Sequence, residues 1–207
     1  YKIKEEQLAI KLALFEANLE KELEKEAAAE AKKKAEAEAK KKAEAEAKKK
    51  AEAEAKKKLE EDFINALDAY QTKDYKLAIF LYKKAANQGH IDAQFNLALM
   101  YDKGEGVTQN HEQATYWYGN AAVQGNAEAQ YALAYNYQVG EGITKDYKQA
   151  LYWYRKSAGQ GYDYAENNLG YMYFMGYGVT KDYSQAEYWY RKAAIQGNIY
   201  GQSNLGE

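Results

Sequence analysis

One pattern is written three times in succession at a spacing of 36 residues, across 91–126, 127–162 and 163–198. The register holds without insertion: Ala93, Ala129 and Ala165 correspond, as do Leu97, Leu133 and Leu169, and Trp117, Trp153 and Trp189. A period of this length predicts a stacked solenoid rather than one closed core. Each copy is a single supersecondary element that can bury its apolar face only against its neighbours.

Each copy divides into two helices by its own punctuation. The first, helix A, runs from about Ala93 to Asp102 and stops at Gly104 and Gly106, matched by Gly140 and Gly142, then Gly176 and Gly178. Glycine enters positive φ without penalty, so these pairs predict a helix stop and a tight turn. Helix B opens at Asn110, Asp146 and Asp182, each followed three residues later by Gln, which is a capping-box pattern. It ends at Gly125, Gly161 and Gly197. Small residues recur where helices must approach, at Ala93 and Ala114 and their equivalents. Leu97 and Tyr101, with their equivalents, are expected to form the helix A side of the core, and the tryptophans the helix B side.

These landmarks resemble the Sel1-like repeat family, α-solenoids related to tetratricopeptide repeats. The resemblance implies an all-α fold, a right-handed α/α solenoid, whose members commonly scaffold protein complexes. It covers Ile91 to Asn198 and continues into residues 199–207, the start of a further, truncated repeat, where Gly201 and Leu205 fall on the expected Ala and Leu positions. Departures are mild: Ala98 and Ala134 stand where Gly is usual, and Asn110 stands for Asp. Upstream, residues 59–90 resemble a plain tetratricopeptide unit. Ala78, Leu81, Tyr82, Ala85 and Ala86 fit helix B, but the paired glycines are missing and Gln71 to Asp74 makes the turn. This unit is expected to cap the stack.

Composition breaks sharply near residue 58. Residues 1–58 contain no Gly and only Tyr1 of the 22 tyrosines, while all 15 Gly and all three Trp lie beyond. Within the first part, residues 27–58 are four octads of the type AEAEAKKK, built from strong helix formers. The spacing sets Glu36 against Lys40, Glu38 against Lys42, Lys40 against Glu44 and Lys42 against Glu46, each pair contributing roughly 0.2–0.5 kcal/mol. Eight residues at 100° each make the alanine stripe slip about 80° per octad, so the alanines hold no seam for a partner helix. A single exposed helical rod of roughly 48 Å is expected, with weak self-association or partial disorder as the alternatives. The octads resemble the helical spacer of TolA-type bacterial envelope proteins. Residues 1–26 differ, because Leu8, Leu12, Phe15 and Leu19 are spaced 4, 3 and 4 and mark an apolar association face. That face either associates or packs on further chain. A chain that begins at Tyr1 and stops a few residues into a repeat is expected to be part of something longer.

Several classes of function find no support. With no Cys there are no disulfides, thiolate chemistry or Cys-type metal sites, and the absence of Pro suits a chain that is nearly all helix. The net charge of −2 divides into 17 Lys against 14 Glu in residues 1–58, or +3, and 12 basic against 17 acidic residues beyond, or −5. Neither value suits nucleic acid, and no run approaches ~20 apolar residues, so no membrane span is expected. His90 and His111 occupy unrelated repeat positions with no carboxylate cluster beside them, and are expected to be surface residues at helix boundaries. The Gly-x-Gly turns lack the strand and Lys-Ser/Thr context of a phosphate loop. No catalytic residue, metal or cofactor is therefore expected.

What exceeds the demands of the fold is tyrosine, with 21 between residues 70 and 207. Tyr131, Tyr135, Tyr164, Tyr171 and Tyr200 sit on helix A, which lines the concave face in the related repeats. Aromatics exposed there act as binding anchors. Phe95, Leu99, Tyr131, Tyr135, Asn167, Tyr171 and Phe174 are expected to line one protein- or peptide-binding groove. The leading expectation is a non-enzymatic adaptor with a rigid helical spacer in the bacterial periplasm or cell envelope, with the cytoplasm as alternative. The other is a structural component assembled through its N-terminal helix.

Overall fold

The structure, a computed structural model, describes residues 2–206. Among the described residues there is helix and turn but no strand. The helices are α1 (Lys2–Gln71), α2 (Tyr75–Asn87), α3 (Ile91–Lys103), α4 (His111–Val123), α5 (Ala127–Val139), α6 (Tyr147–Ala158), α7 (Asp163–Met175), α8 (Tyr183–Ile195) and α9 (Ile199–Leu205). None among the described residues is long and apolar enough to cross a membrane. The chain separates into two compact units, Tyr1–Lys56 and Lys57–Glu207.

The described residues of the first unit lie within α1, and their side chains are exposed from residue 3 onward. The expected ion-pair ladder is sparse. Of the four pairs, only Lys40–Glu44 closes, at 4.0 Å, joined by Lys48–Glu52 at 3.9 Å. Exposed pairs gain little in water, so the helix rests mainly on the intrinsic preference of Ala, Glu and Lys. Leu8, Leu12, Phe15 and Leu19 lie uncovered on this helix, each more than half exposed.

In the second unit helices A and B alternate as the repeat demands, helix A being α3, α5 and α7, and helix B being α4, α6 and α8. Each helix A ends at a left-handed glycine, Gly104, Gly140 or Gly176. Where the preceding unit lacks such a glycine, Lys73 takes the positive φ itself, at 62°. The second glycine of each pair serves a different need. A Cβ on Gly106 would stand 2.6 Å from the Tyr75 carbonyl oxygen, and on Gly142 it would collide with the His111 carbonyl. These turns press against the start of the helix B one repeat earlier, so the pair both stops a helix and seals an interface between repeats.

The capping boxes form only in their forward half. The amides of Gln113, Gln149 and Gln185 donate to the side chains of Asn110, Asp146 and Asp182 at 2.9, 3.1 and 3.0 Å. The return bond is missing because the cap residues' own amides are already engaged. They donate to the carbonyls of Tyr101, Tyr137 and Tyr173 at 2.9, 2.9 and 3.1 Å, which ties helix B to the end of its helix A.

The core differs from expectation on both of its sides. On helix A, Tyr101, Tyr137 and Tyr173 are only half-buried at its margin, while Leu97, Leu133 and Leu169 are buried. Trp117 is buried, but Trp153 and Trp189 are only half-buried, and the tyrosine after each Trp lies deeper. Tyr154 is fully buried because its hydroxyl is satisfied there, donating to Gln138 at 2.7 Å and accepting from Asn168 at 2.9 Å. A buried phenol needs such partners. Polar side chains also join the repeats: Gln124 donates to Gln94, and Gln94 to the Ala86 carbonyl, at 2.7 and 3.0 Å. Gln160, Gln130 and the Ala122 carbonyl repeat the chain at 2.8 and 3.0 Å. In the third copy Glu166 stands at this position, wholly buried, with Gln196 at 2.6 Å and the Lys192 ammonium at 2.9 Å.

Candidate functional site

Helix spacing puts residues i and i+4 on one face, so Phe95 and Leu99 project together from α3, and Tyr131 and Tyr135 from α5. Between these pairs runs an open groove of about 340 Å³, which all four residues line. Tyr118 and Tyr162 complete its aromatic lining. Neighbouring rings hold these side chains in place. Phe95 lies 5.9 Å from the Tyr118 ring, and Tyr131 meets Tyr162 edge to face at 5.4 Å. Tyr135 is the most open of them, 43% exposed. The groove is therefore built of ordered aromatics around one exposed ring.

Its charge is of one sign. Asp102, Glu128 and Glu141 line it, and among the described residues no Lys or Arg does. The phenols add no negative charge near neutral pH. Burial pushes the Tyr118 hydroxyl well above its ordinary pKa, with the Asp102 carboxylate adding to the effect, and burial raises Tyr131. Tyr162 is pushed up to about 12, by burial first and then by Glu128. All three stay protonated.

Both histidines are partly exposed at helix boundaries, as expected, but each also meets at least one carboxylate. His111 is held between two carboxylates, with Nδ1 2.9 Å from Asp102 and Nε2 3.3 Å from Glu141. Both ring nitrogens thus face carboxylate oxygens, one from its own repeat and one from the next. His90 caps α3: its Nδ1 accepts from the Ala93 amide at 3.2 Å, which leaves Nε2 protonated toward Glu60 at 3.3 Å. Its ring stacks on Phe63 at 4.2 Å.

The other three expected groove residues lie elsewhere. Asn167, equivalent in register to Phe95 and Tyr131, is buried, donating to Asn168 at 3.1 Å and accepting from Asn204 at 2.9 Å. Tyr171 is exposed but turns its edge to Tyr177, which stacks on Tyr147 at 4.3 Å. Phe174 lines a separate depression with Tyr183 and Tyr190. The acidic members of the groove were missed, although Glu128 lies three residues before Tyr131 and so on its face. Also missed was an exposed row on the B helices and α2, formed by Phe80, Tyr116, Tyr152 and Tyr188, whose 36-residue spacing is visible in the sequence.

The Sel1 repeat family matches residues 68–90, 91–126, 127–162 and 163–198, more than half of the chain. Residues 68–90, which lack the paired glycines, thus also match as a Sel1 repeat. A search of curated proteins finds no match. Among solved structures, the chain is similar to c5321, a protective antigen present in uropathogenic Escherichia coli strains and displaying an SLR fold. That match has 38% identity and a TM-score of 0.70, over 72% of this chain and 32% of that one. It is also similar to a Sel1 repeat protein from Oxalobacter formigenes, with 38% identity and a TM-score of 0.65, over 70% of this chain and 59% of that one. Helicobacter pylori cysteine rich protein B shares the fold at 24% identity and a TM-score of 0.51, over 63% of this chain and 93% of that one. The chain thus spans about a third of the first of these proteins and under two thirds of the second. With its helix pairs, paired glycines and four matched repeats, the chain belongs to the Sel1 repeat family.

Proposed function

We propose that the chain is a non-enzymatic adaptor that holds a segment of a protein partner in the groove between α3 and α5. Sel1 repeat proteins are generally protein-interaction scaffolds. The observation that carries the reading is the groove itself: Tyr135 stands 43% exposed among aromatics already fixed by their neighbours. Rigid aromatics lose little entropy on binding and are the usual anchors of interfaces. The helix of residues 2–56, exposed from residue 3 onward, serves as a spacer, and its resemblance to TolA-type octads supports a place in the cell envelope.

Tyr135→Ala tests the groove. Because the ring is largely solvated, the melting temperature should fall by no more than about 2 °C. Partner affinity should drop about tenfold or more, as expected for an interfacial aromatic anchor. Crosslinking and mass spectrometry of the protein in its native cells reads the partner set, and a set unchanged by the substitution removes the groove from the function.

A second reading, assembly through α1, is favoured by the uncovered stripe of Leu8, Leu12, Phe15 and Leu19. Sedimentation of the full chain should show mass rising with concentration, abolished by Leu12→Glu with Phe15→Glu. A monomer across the range sinks this reading.

A further inference from the structure

The chemistry of the partner can be narrowed, on the basis that the groove is the binding site. We infer that the groove receives a cationic side chain, a Lys or Arg of the partner polypeptide, between the aromatic rings of α3 and α5 and the three carboxylates beside them. Asp102, Glu128 and Glu141 all line the same 340 Å³ space as Phe95, Leu99, Tyr131 and Tyr135. Glu128 forms no ion pair with another described residue. Asp102 and Glu141 share one imidazole, so even with His111 protonated the lining keeps two negative charges of its three.

Such a lining is selective. A neutral apolar segment would cover the carboxylates and strip their water with nothing in return, which costs free energy. An acidic segment would meet like charge. A Lys or Arg side chain satisfies both components, laying its methylenes and charge along the ring faces while its head meets carboxylate oxygens. The phenols, held protonated by burial, offer neutral rings and hydroxyls rather than competing charge.

The selectivity is local. The depression beside Phe174 also carries charge, but there Glu187 and Arg191 pair with each other at 2.9 Å. Fixed positive charge lies mainly on the other helix set, Lys103 at the end of α3 being the one cation on α3, α5 and α7. Helices α2, α4, α6 and α8 carry Lys76, Lys83, Lys84, Lys148, Arg155, Lys156, Arg191 and Lys192 against Glu112 and Glu187. A cationic ligand is thus drawn to the α3–α5 side and repelled from the opposite helices.

The test uses the full chain and a random dodecapeptide library displayed on phage, selected on the wild-type protein and counter-selected on Tyr135→Ala. Groove-dependent peptides should be enriched in Lys or Arg at one position. Replacing that Lys with norleucine, or that Arg with citrulline, should weaken binding about 10- to 100-fold, and Glu128→Gln should weaken the parent peptide about tenfold. Glu128 is exposed and Gln is its near isostere, so an unchanged melting curve verifies that the fold is intact. Whether Lys or Arg dominates identifies which cation is read. Groove-dependent peptides without cationic enrichment, or binding indifferent to Glu128→Gln, overturn the inference and leave the groove reading standing. If no selected peptide depends on Tyr135, both are overturned.

Discussion

Gly142→Ala is expected to destabilise the solenoid by about 2–5 kcal/mol, among the largest losses any methyl group could cause in this chain. Two costs combine. The residue sits at φ +66°, where an L side chain is disfavoured by roughly 1–2 kcal/mol. Its new Cβ would also drive into the carbonyl of His111, and because that neighbour is backbone at the start of α4, no rotamer change relieves it. Overpacking of this kind adds about 1–3 kcal/mol. Gly161→Ala is the control, since it has a similar φ of +84° but nothing within 4 Å of its Cβ position. It should lose only the conformational part, about 1–2 kcal/mol. Urea unfolding followed by tryptophan fluorescence measures both, because all three Trp lie in α4, α6 and α8 and the long α1 contributes none. Equal losses at the two sites would show that close approach between repeats plays no part.

The same glycine shows what could and could not be read from the sequence. A repeated Gly-x-Gly announces a turn wherever it occurs, and the first glycine of each pair does cap a helix as expected. That the second one seals the preceding repeat is a property of two segments some 30 residues apart, and spacing within one repeat carries no trace of it. Helix order, caps and the small core alanines were legible because each depends on neighbours along the chain. The groove was legible by halves. Residues 95, 131 and 167 are equivalent in register, yet Phe95 and Tyr131 line the groove while Asn167 is drawn into the interior by Asn168 and Asn204. An amide that finds partners inside has no reason to remain on the surface. Asp102 and Glu141 come together around His111 only when two repeats stack, so a search for carboxylates near histidine in sequence could not find them.

Periodicity also conceals that the interfaces between repeats are not equal. In one, Asn136 donates to Thr115 at 2.7 Å, and Thr115 to the Glu141 carbonyl at 3.2 Å. One repeat further on the equivalent residues are Met172 and Leu151, both in the apolar core. The polar pair lies beneath the groove, whose lining includes Asn136. A hydrogen-bonded pair specifies a single geometry where an apolar pair allows sliding, so this interface is the one best suited to holding the groove's walls in register.

Lys192→Met should cost about 3 kcal/mol, because it strands a charge. Glu166 is completely buried, and its carboxylate has the Gln196 amide on one oxygen at 2.6 Å and the Lys192 ammonium at 2.9 Å from the other. Removing one partner of a buried ion pair typically costs about 3–5 kcal/mol, and the partial solvation of Lys192 places this case at the lower end. The other repeats indicate the remedy. Gln94 and Gln130 occupy the equivalent position and donate to the Ala86 and Ala122 carbonyls, so Glu166→Gln offers the same bond toward Ala158. That substitution alone should be neutral or stabilising by about 1 kcal/mol, since a buried pair seldom outweighs its own desolvation. Combined with Lys192→Met it should recover most of the loss, short of about 0.5–1 kcal/mol for the ammonium that lies 4.9 Å over the Trp189 ring. Urea unfolding of the two single variants and the double variant closes the cycle, with an expected coupling of about 1–2.5 kcal/mol. A Lys192→Met protein as stable as wild type, or a double variant no better than that single one, would mean that the buried carboxylate finds its compensation elsewhere.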